Sequence, residues 1–213
     1  MRLQNKNISI GLVSKNSLYE FTKFVAEEYY KHNVPVWQTT IISEQEIKAM
    51  YREDINQYPY SYYYAAKVDN KIIGTIKVTK WNRKDTLPIQ KLFGIDIKNN
   101  KNFAKCNIWH VGRFATSLNW GSQNISLFKQ LMVYAITPIC NDEAGIMVAE
   151  CDCKLLRVMT ALGIVTTSLG KSIEYLHSET KPIYAGKEGL MGFYLNQDKT
   201  MLPNQLNVID LQF

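Results

Sequence analysis

The stretch from Cys106 to Ser126, in the middle of the chain, holds the residues best suited to chemistry. His110 and Arg113 lie three residues apart within it, and a loop containing Gly, Ser and Asn follows. A neutral imidazole accepts a proton near neutral pH, because its ordinary pKa is about 6.5. A donor-rich loop that leads into a helix N-terminus is a suitable site for an anionic or carbonyl-bearing ligand. The stretch therefore predicts a site with His110 as the candidate general base.

The residue pattern predicts the elements that position this site. Residues 106–115 read as a strand, and an amphipathic helix follows over 126–137, with Pro138 closing it. The segment GIMVAE predicts another strand that ends at Glu150. Asp152 then supplies an N-cap for a further helix, which ends near a glycine.

These elements leave several roles open for the charged residues. On a regular strand His110 shares a face with Gly112, and Arg113 points the other way, unless a bulge at Gly112 breaks the alternation. Arg113 is suited to binding a carboxylate or to a buried ion pair with Glu150 or Asp152. Glu150 can orient His110 or act as the base itself.

The remaining patterns predict one α/β (α+β) domain over residues 1–213, with a mixed central sheet flanked by helices. Helices are expected over 16–31 and 43–54, the second with a capping box. Two strands joined by an Asp-Asn turn follow at 62–68 and 71–81. The segments IVTTSL, PIYA and LMGFYLN are expected to be strands, and the tail from residue 197 carries no clear pattern.

Composition excludes several classes of protein. The chain has 213 residues, of which 46% are hydrophobic and 21% charged, as in a folded globular protein. It shows no membrane-length apolar run and no signal-peptide pattern, so a cytoplasmic location is expected. The four cysteines do not form a spaced ligand set, so no metal is expected. The formal charge of +6 is spread along the chain and does not by itself identify a partner.

Four short motifs give the chain a resemblance to a known family. Trp109, Arg113 and Phe114 match the pattern W-E-x-S-R-F, and residues 74–78 match an earlier G-T-L-R-L strand. Residues 126–128 begin the central helix with a hydroxyl residue, and a later helix ends in the glycine-containing segment MTALGI. Both features match the same family. Over residues 18–195 the chain resembles the GNAT acyltransferases, and more narrowly the acyl-homoserine-lactone synthases and long-chain N-acyl amino acid synthases. The resemblance implies a GNAT-like acyl-CoA N-acyltransferase fold.

The chain departs from the family pattern at functional positions. His110 stands where relatives usually have Glu, Gly112 where they have Ser, and Lys77 where they have Arg. The residues that relatives use in the N-terminal segment have no clean match over 18–54. The resemblance is therefore more compatible with a simple amine acceptor than with S-adenosylmethionine.

The resemblance implies an N-acyltransferase that moves an acyl group from a carrier thioester to a small amine, with an amino acid as the expected acceptor. Its co-substrate would be an acyl-phosphopantetheine thioester on acyl carrier protein or coenzyme A, with no permanently bound cofactor. In this interpretation His110 and Glu150 are catalytic, and Arg113, Lys77 and Trp109 bind the acceptor or are structural. The residues expected to bind the acyl thioester are Phe114, Ala115, Thr116, Asn119, Gly121, Ser122, Asn124 and Ser126.

Three alternatives remain open at this stage. The chain could be an acetyl-CoA-dependent N-acetyltransferase, or a basic nucleic-acid-binding or regulatory protein, although no nucleic acid is expected. A cysteine nucleophile is a competing mechanism, because Cys153 lies at an expected helix start, where a thiolate is favoured, with Cys151 on the adjacent strand. His110 would then act as the base for the thiol.

Overall fold

A computed structural model describes residues 8–33, 42–118, 124–176, 178–197 and 208–209. The helices are α1 Leu18–Asn33, α2 Glu44–Gln57, α3 Pro88–Phe93, α4 Asn124–Cys140, α5 Cys153–Ala161 and α6 Lys187–Leu195. The strands are β1 Ser9–Val13, β2 Ser61–Val68, β3 Lys71–Lys80, β4 Asn107–Thr116, β5 Gly145–Asp152, β6 Thr167–Ser168, β7 Ile173–Tyr175, β8 Ser178–Gly186 and β9 Val208–Ile209.

The strands form one mixed sheet, and the predicted α/β class is confirmed. Hydrogen-bonded neighbours follow the order β6, β8, β5, β4, β3, β2, β1, β9, and β7 pairs with β8 outside this order. β4 and β5 pair in parallel, as do β1 and β9. β1 is antiparallel to β2, and β5 is antiparallel to β8.

The described residues divide into two compact units. The first draws on Met1–Ile76, Arg113–Leu131 and Gln205–Phe213, and the second on Lys77–Gly112 and Met132–Asn204. Buried apolar side chains in the first unit include Leu18, Phe21, Val25, Tyr63 and Ala115. Those in the second include Trp81, Ile89, Ile97, Ile108, Ile146 and Val148. The organisation of residues 1–213 as a single domain stays a prediction.

Gly74 allows close packing of β3 on α4 within the first unit. A Cβ atom at this position would lie 2.9 Å from Cδ1 of Leu131 and 3.0 Å from Cδ2 of Leu127. Leu127 and Leu131 are both fully buried. The glycine of the G-T motif is therefore explained by space, since native interiors leave no room for an extra methyl group at such contacts.

Strand β4 contains one more residue than β3 where the two strands pair. The N–H of Trp81 donates to the carbonyl of Ile108 at 2.8 Å, and the N–H of Ser117 donates to the carbonyl of Ile73 at 2.9 Å. Trp81, just after β3, follows Ile73 by eight residues, whereas Ser117, just after β4, follows Ile108 by nine residues. Arg113 has a φ angle of 52°. The extra residue defines a β-bulge, and the positive φ angle places it at Arg113. The sequence had suggested a bulge one residue earlier, at Gly112.

Local signals predicted several elements correctly. Ser43 and Glu46 form the expected capping box at the start of α2. Asp69 and Asn70 both have positive φ angles, as a type I′ hairpin turn requires. Asp152 caps α5 by accepting from two backbone N–H groups of the first turn.

Three expectations about the elements were wrong. The segment LMGFYLN lies in helix α6, because Leu190 and Phe193 are three residues apart and both are buried on one helix face. Pro138 lies inside the last turn of α4, which continues to Cys140. Strand β1 was not expected, and only Thr167–Ser168 of the segment IVTTSL is a strand.

Candidate active site

His110 and Glu150 form a hydrogen-bonded pair on neighbouring parallel strands. β4 and β5 pair from Asn107 with Gly145 to His110 with Val148, where the register ends. Glu150 is two residues further on β5, so it shares a face of the strand with Val148. Nε2 of His110 lies 2.8 Å from Oε2 of Glu150. The two side chains are only 9% and 11% exposed, so this polar contact is largely removed from water.

The chemistry of the pair follows from its hydrogen bond. An ionised carboxylate only accepts hydrogen bonds, so the ring nitrogen that faces it, Nε2, is the donor. In the neutral imidazole, Nδ1 then carries the free lone pair. No described residue hydrogen-bonds to Nδ1. Oε1 of Glu150 is buried and has no hydrogen-bond partner among the described residues. A carboxylate that orients an imidazole, with the second ring nitrogen left to accept a proton, is suited to general base catalysis.

Trp109 has a structural contact close to this pair. It is buried, and its indole N–H donates to Oδ2 of Asp142 at 3.1 Å. Asn107 and Lys80 also donate to the Asp142 carboxylate, at 2.8 and 3.1 Å. Burial acts to raise the pKa of Asp142, but these three donors outweigh it and hold the pKa below its ordinary value. Asp142 thus ties the start of β5 to β3 and β4, and acceptor binding by Trp109 stays a prediction.

Replacing Asp142 by Asn should lower the free energy of unfolding at pH 7 by about 1–2 kcal/mol, because the charge-assisted hydrogen bonds are lost. A lowered folded-state pKa means that the carboxylate stabilises the protein above its unfolded-state pKa and stops doing so as the pH falls through the folded-state value. Urea unfolding at several pH values should therefore show that the difference in free energy of unfolding between the wild type and Asp142→Asn becomes smaller in acid. Glu143→Gln, at the exposed neighbouring residue, is the control. A difference that does not change with pH would contradict this role of Asp142.

Lys77 is buried on β3, with 3% of its surface exposed. Lys77 is therefore not a solvated lysine on an exposed strand face. Burial of an unpaired ammonium group is costly, so a lysine in this position must be held by acceptors. Its role in binding the acceptor stays a prediction.

Arg113 is held by two carboxylates of α2. Its Nε donates to Oδ1 and Oδ2 of Asp54 at 3.2 and 3.3 Å, and its Nη2 donates to Oε2 of Glu53 at 2.7 Å. Asp54 is fully buried and also accepts from the hydroxyls of Thr22 and Tyr63. Burial acts to lower the pKa of Arg113, but Asp54 and Glu53 outweigh it and hold the pKa above its ordinary value. Because two carboxylates share one guanidinium, Arg113 keeps no uncompensated positive charge.

The predicted ion pair of Arg113 with Glu150 or Asp152 is wrong, because Glu150 binds an imidazole and Asp152 caps a helix. The sequence did contain a signal for the correct partner. Asp54 follows Ile47 by seven residues, so both lie on the same face of α2, and both are buried. A carboxylate on the apolar face of a helix requires a buried partner.

His32 and Glu28 of α1 contact the end of β4, and sequence analysis did not identify either residue. Ser117 directs its N–H toward β3, so Thr116 directs its backbone groups to the opposite edge. There, Nε2 of His32 lies 2.9 Å from the Thr116 carbonyl oxygen. Oε2 of the buried Glu28 accepts from the N–H of Leu118 at 3.2 Å. A histidine just after the predicted end of helix 16–31 was the available signal.

The other expected thioester-binding residues are only partly described. Phe114 packs edge-to-face against Phe128 with ring centroids 5.1 Å apart, and Ala115 is buried. Ser126 is exposed in the first turn of α4. For Asn124 the backbone alone is described, as the first residue of α4. Asn119, Gly121 and Ser122 lie outside the described residues.

The cysteines at the start of α5 do not have the properties of a nucleophile. Burial raises the pKa of Cys151 to about 12. Burial and the neighbouring Glu179 carboxylate also raise the pKa of Cys153, so the expected thiolate at the helix start is wrong. Both thiols are protonated at neutral pH. Within the described ranges, no three His, Cys, Asp or Glu side chains form a group that could hold a metal ion.

Comparisons with known proteins identify the family and the fold of the chain. The family model N-acyl amino acid synthase FeeM matches residues 21–167. The structure of FeeM, an N-acyl amino acid synthase from uncultured soil microbes, shares 17% identity, covers 85% of this chain and 90% of its own, and has a TM-score of 0.57. BjaI, a CoA-dependent acyl-homoserine lactone synthase, shares 13% identity, covers 95% and 93%, and has a TM-score of 0.62.

The acyl-homoserine-lactone synthase LasI shares 14% identity, covers 90% of this chain and 96% of its own, and has a TM-score of 0.56. No curated protein matches the chain. None of the helices in the described part of the chain has the length and apolar character needed to cross a bilayer. The GNAT-like fold is thus confirmed, and the family match over residues 21–167 shows that the chain belongs to the FeeM family of N-acyl amino acid synthases.

Proposed function

We propose that this N-acyltransferase moves an acyl group from a phosphopantetheine thioester to the primary amine of an amino acid. The observation that carries the proposal is the buried hydrogen bond between His110 and Glu150 in a chain of this family. Amide formation from a thioester requires a neutral amine, and amino acids carry their amine as an ammonium group at pH 7. A positioned base is therefore the group that the reaction most needs.

Nδ1 of His110 removes the proton from the acceptor amine, directly or through one water molecule. The amine nitrogen attacks the thioester carbonyl carbon, and the carbonyl electrons move to oxygen. When the tetrahedral species collapses, the C–N bond remains, the C–S bond breaks, and the departing thiolate takes the proton that the imidazolium returns. The nitrogen gives its second surplus proton to solvent, so the products are a neutral amide, a thiol and one released proton. Glu150 holds the Nε2–H and stabilises the imidazolium, and such base catalysis commonly contributes about 10²–10⁴ in rate.

We place the acyl thioester along the end of β4 and the loop that follows it. Phe114 and Thr116 alternate with Ala115 along the strand, so their backbone groups face away from β3 and are suited to pairing with pantetheine amides. The Thr116 carbonyl is already in contact with Nε2 of His32. The backbone N–H and carbonyl of Phe114 are therefore the main proposed partners of the pantetheine amides. Asn119, Gly121, Ser122, Asn124 and Ser126 remain the proposed contacts for the phosphate end, near the N-terminus of α4.

Arg113 is not available to bind the acceptor's carboxylate, because Glu53 and Asp54 already neutralise it. Lys77 and Trp109 therefore remain the proposed acceptor-binding residues, and both are buried. The formal charge of +6 supports an acidic acyl carrier protein as the donor, since opposite charges speed association. The thioester itself is common to acyl carrier protein and coenzyme A.

Cys153→Ser and Cys151→Ser should each retain kcat within about twofold, because both thiols are protonated and direct transfer does not use them. The intact protein, incubated with an acyl donor and no amine, should show no added acyl mass by mass spectrometry. An acyl adduct on the wild type that disappears in Cys153→Ser would establish the competing covalent mechanism.

The proposed function is tested with purified protein, acyl donors of two to sixteen carbons on coenzyme A and on acyl carrier protein, and a panel of amino acids. Thiol release and amide mass are measured together, with a reaction lacking amine as the control for thioester hydrolysis. We expect an N-acyl amino acid formed in equal amount to the released thiol. A folded protein that makes no amide with any pair would refute the proposal, and acetylation alone would restrict it to an N-acetyltransferase.

A further inference from the structure

Gly112 leaves the space that the imidazole of His110 occupies. The two residues are separated by one position on β4 and so face the same side of the strand. A Cβ atom at position 112 would lie 2.9 Å from Cε1 of His110 and 3.7 Å from each ring nitrogen. The φ angle of Gly112 is outside the left-handed range, so the backbone there accepts any residue. The glycine is required for space and not for its conformational freedom.

The imidazole cannot easily move away from an added methyl group. Its Nε2 is fixed on Glu150 at 2.8 Å, and its side chain is 9% exposed within the packed second unit. Restoring ordinary contact would require the separation from Cε1 to grow from 2.9 Å to at least 3.4 Å. A movement of about 0.5 Å in the ring would stretch or bend the hydrogen bond to Glu150 out of its favoured range.

We propose that Gly112 is a positioning residue for the catalytic imidazole. Its missing side chain lets His110 keep Nε2 on Glu150 while Nδ1 remains available to the acceptor amine. The catalytic part rests on the proposed function, whereas the steric coupling between positions 110 and 112 does not.

The test compares Gly112→Ala in the wild type and in a His110→Ala background, with Gly170→Ala as the matched control. A Cβ atom at Gly170 would make only ordinary contacts, at 3.5 Å or more. We expect Gly112→Ala to lower the urea midpoint clearly in the wild type and to change it little when His110 is absent. Gly170→Ala should have the same small effect in both backgrounds. An equal loss from Gly112→Ala in both backgrounds would overturn the steric coupling.

Two further readouts separate positioning from folding. The imidazole Nε2–H signal of His110, observed by NMR of the folded protein, should shift in Gly112→Ala and not in Gly170→Ala. Since misplacement of a catalytic group by less than 1 Å can cost up to about 10²-fold, kcat should fall about 10–100-fold with little change in KM for the acyl donor. An unchanged signal and kcat would overturn the proposal. If the wild type made no amide, the proposed function would fail, but the stability measurements and the NMR signal would still test the steric coupling between positions 110 and 112. Failure of the proposed function is therefore distinguishable from failure of this proposal.

Discussion

Replacing His110 by alanine is expected to lower kcat for amide formation about 10²–10⁴-fold, the usual contribution of a positioned general base. The substitution removes Nδ1 and also the donor that holds Oε2 of Glu150. Donor binding should change little, because the proposed thioester contacts lie beyond this position on β4. The measurement is kcat and KM for each substrate, with the amide quantified by mass spectrometry.

Glu150→Gln is the informative companion to this substitution. The amide keeps an oxygen that accepts from Nε2–H but removes the negative charge that stabilises the imidazolium. Its kcat should therefore fall less than that of His110→Ala. If His110→Ala retained the wild-type rate while Glu150→Gln lost it, Glu150 would be the base and the assigned roles would be reversed.

Replacing Arg113 by Met is expected to lower the free energy of unfolding by about 3–5 kcal/mol, because a buried carboxylate loses its cation. Asp54 is fully buried, and the hydroxyls of Thr22 and Tyr63 do not neutralise its charge. Urea unfolding at neutral pH measures the loss. The exposed Arg157→Met should change stability by less than about 0.5 kcal/mol.

A second substitution tests the origin of this loss. Asp54→Asn combined with Arg113→Met removes the charge that was left unpaired, so part of the lost stability should return. A double variant that is no more stable than Arg113→Met would show that packing and not charge dominates at this position. A small loss in Arg113→Met itself would contradict a structural role and favour acceptor binding.

Much of the fold was predictable because its local signals are strong. The capping box at Ser43, the Asp69-Asn70 turn and the cap at Asp152 each depend on a few adjacent residues. The elements that were missed depend on distant partners. β1 is defined by pairing with β2, and α6 is identified by the burial of Leu190 and Phe193.

The main residues of the candidate site were predictable from the sequence, but most of their contacts were not. The sequence indicated His110 as the candidate base, and Glu150 as either its orienting partner or the base itself, from their places on successive strands. The parallel pairing of these strands brings the two side chains to 2.8 Å. The partners of Arg113 were not identified, because a contact between a strand and a helix about 60 residues apart in the sequence follows from tertiary packing. The space at Gly112 was likewise invisible without coordinates.

We propose that His110 and Glu150 act together as the base of this N-acyltransferase. The most direct measurement is the rate of amide formation by His110→Ala, Glu150→Ala and the double variant, each compared with the wild type. Residues that act as one unit show strongly non-additive effects, so the double variant should be no slower than His110→Ala alone. Losses that multiply in the double variant, or a His110→Ala protein with the wild-type rate, would contradict the claim.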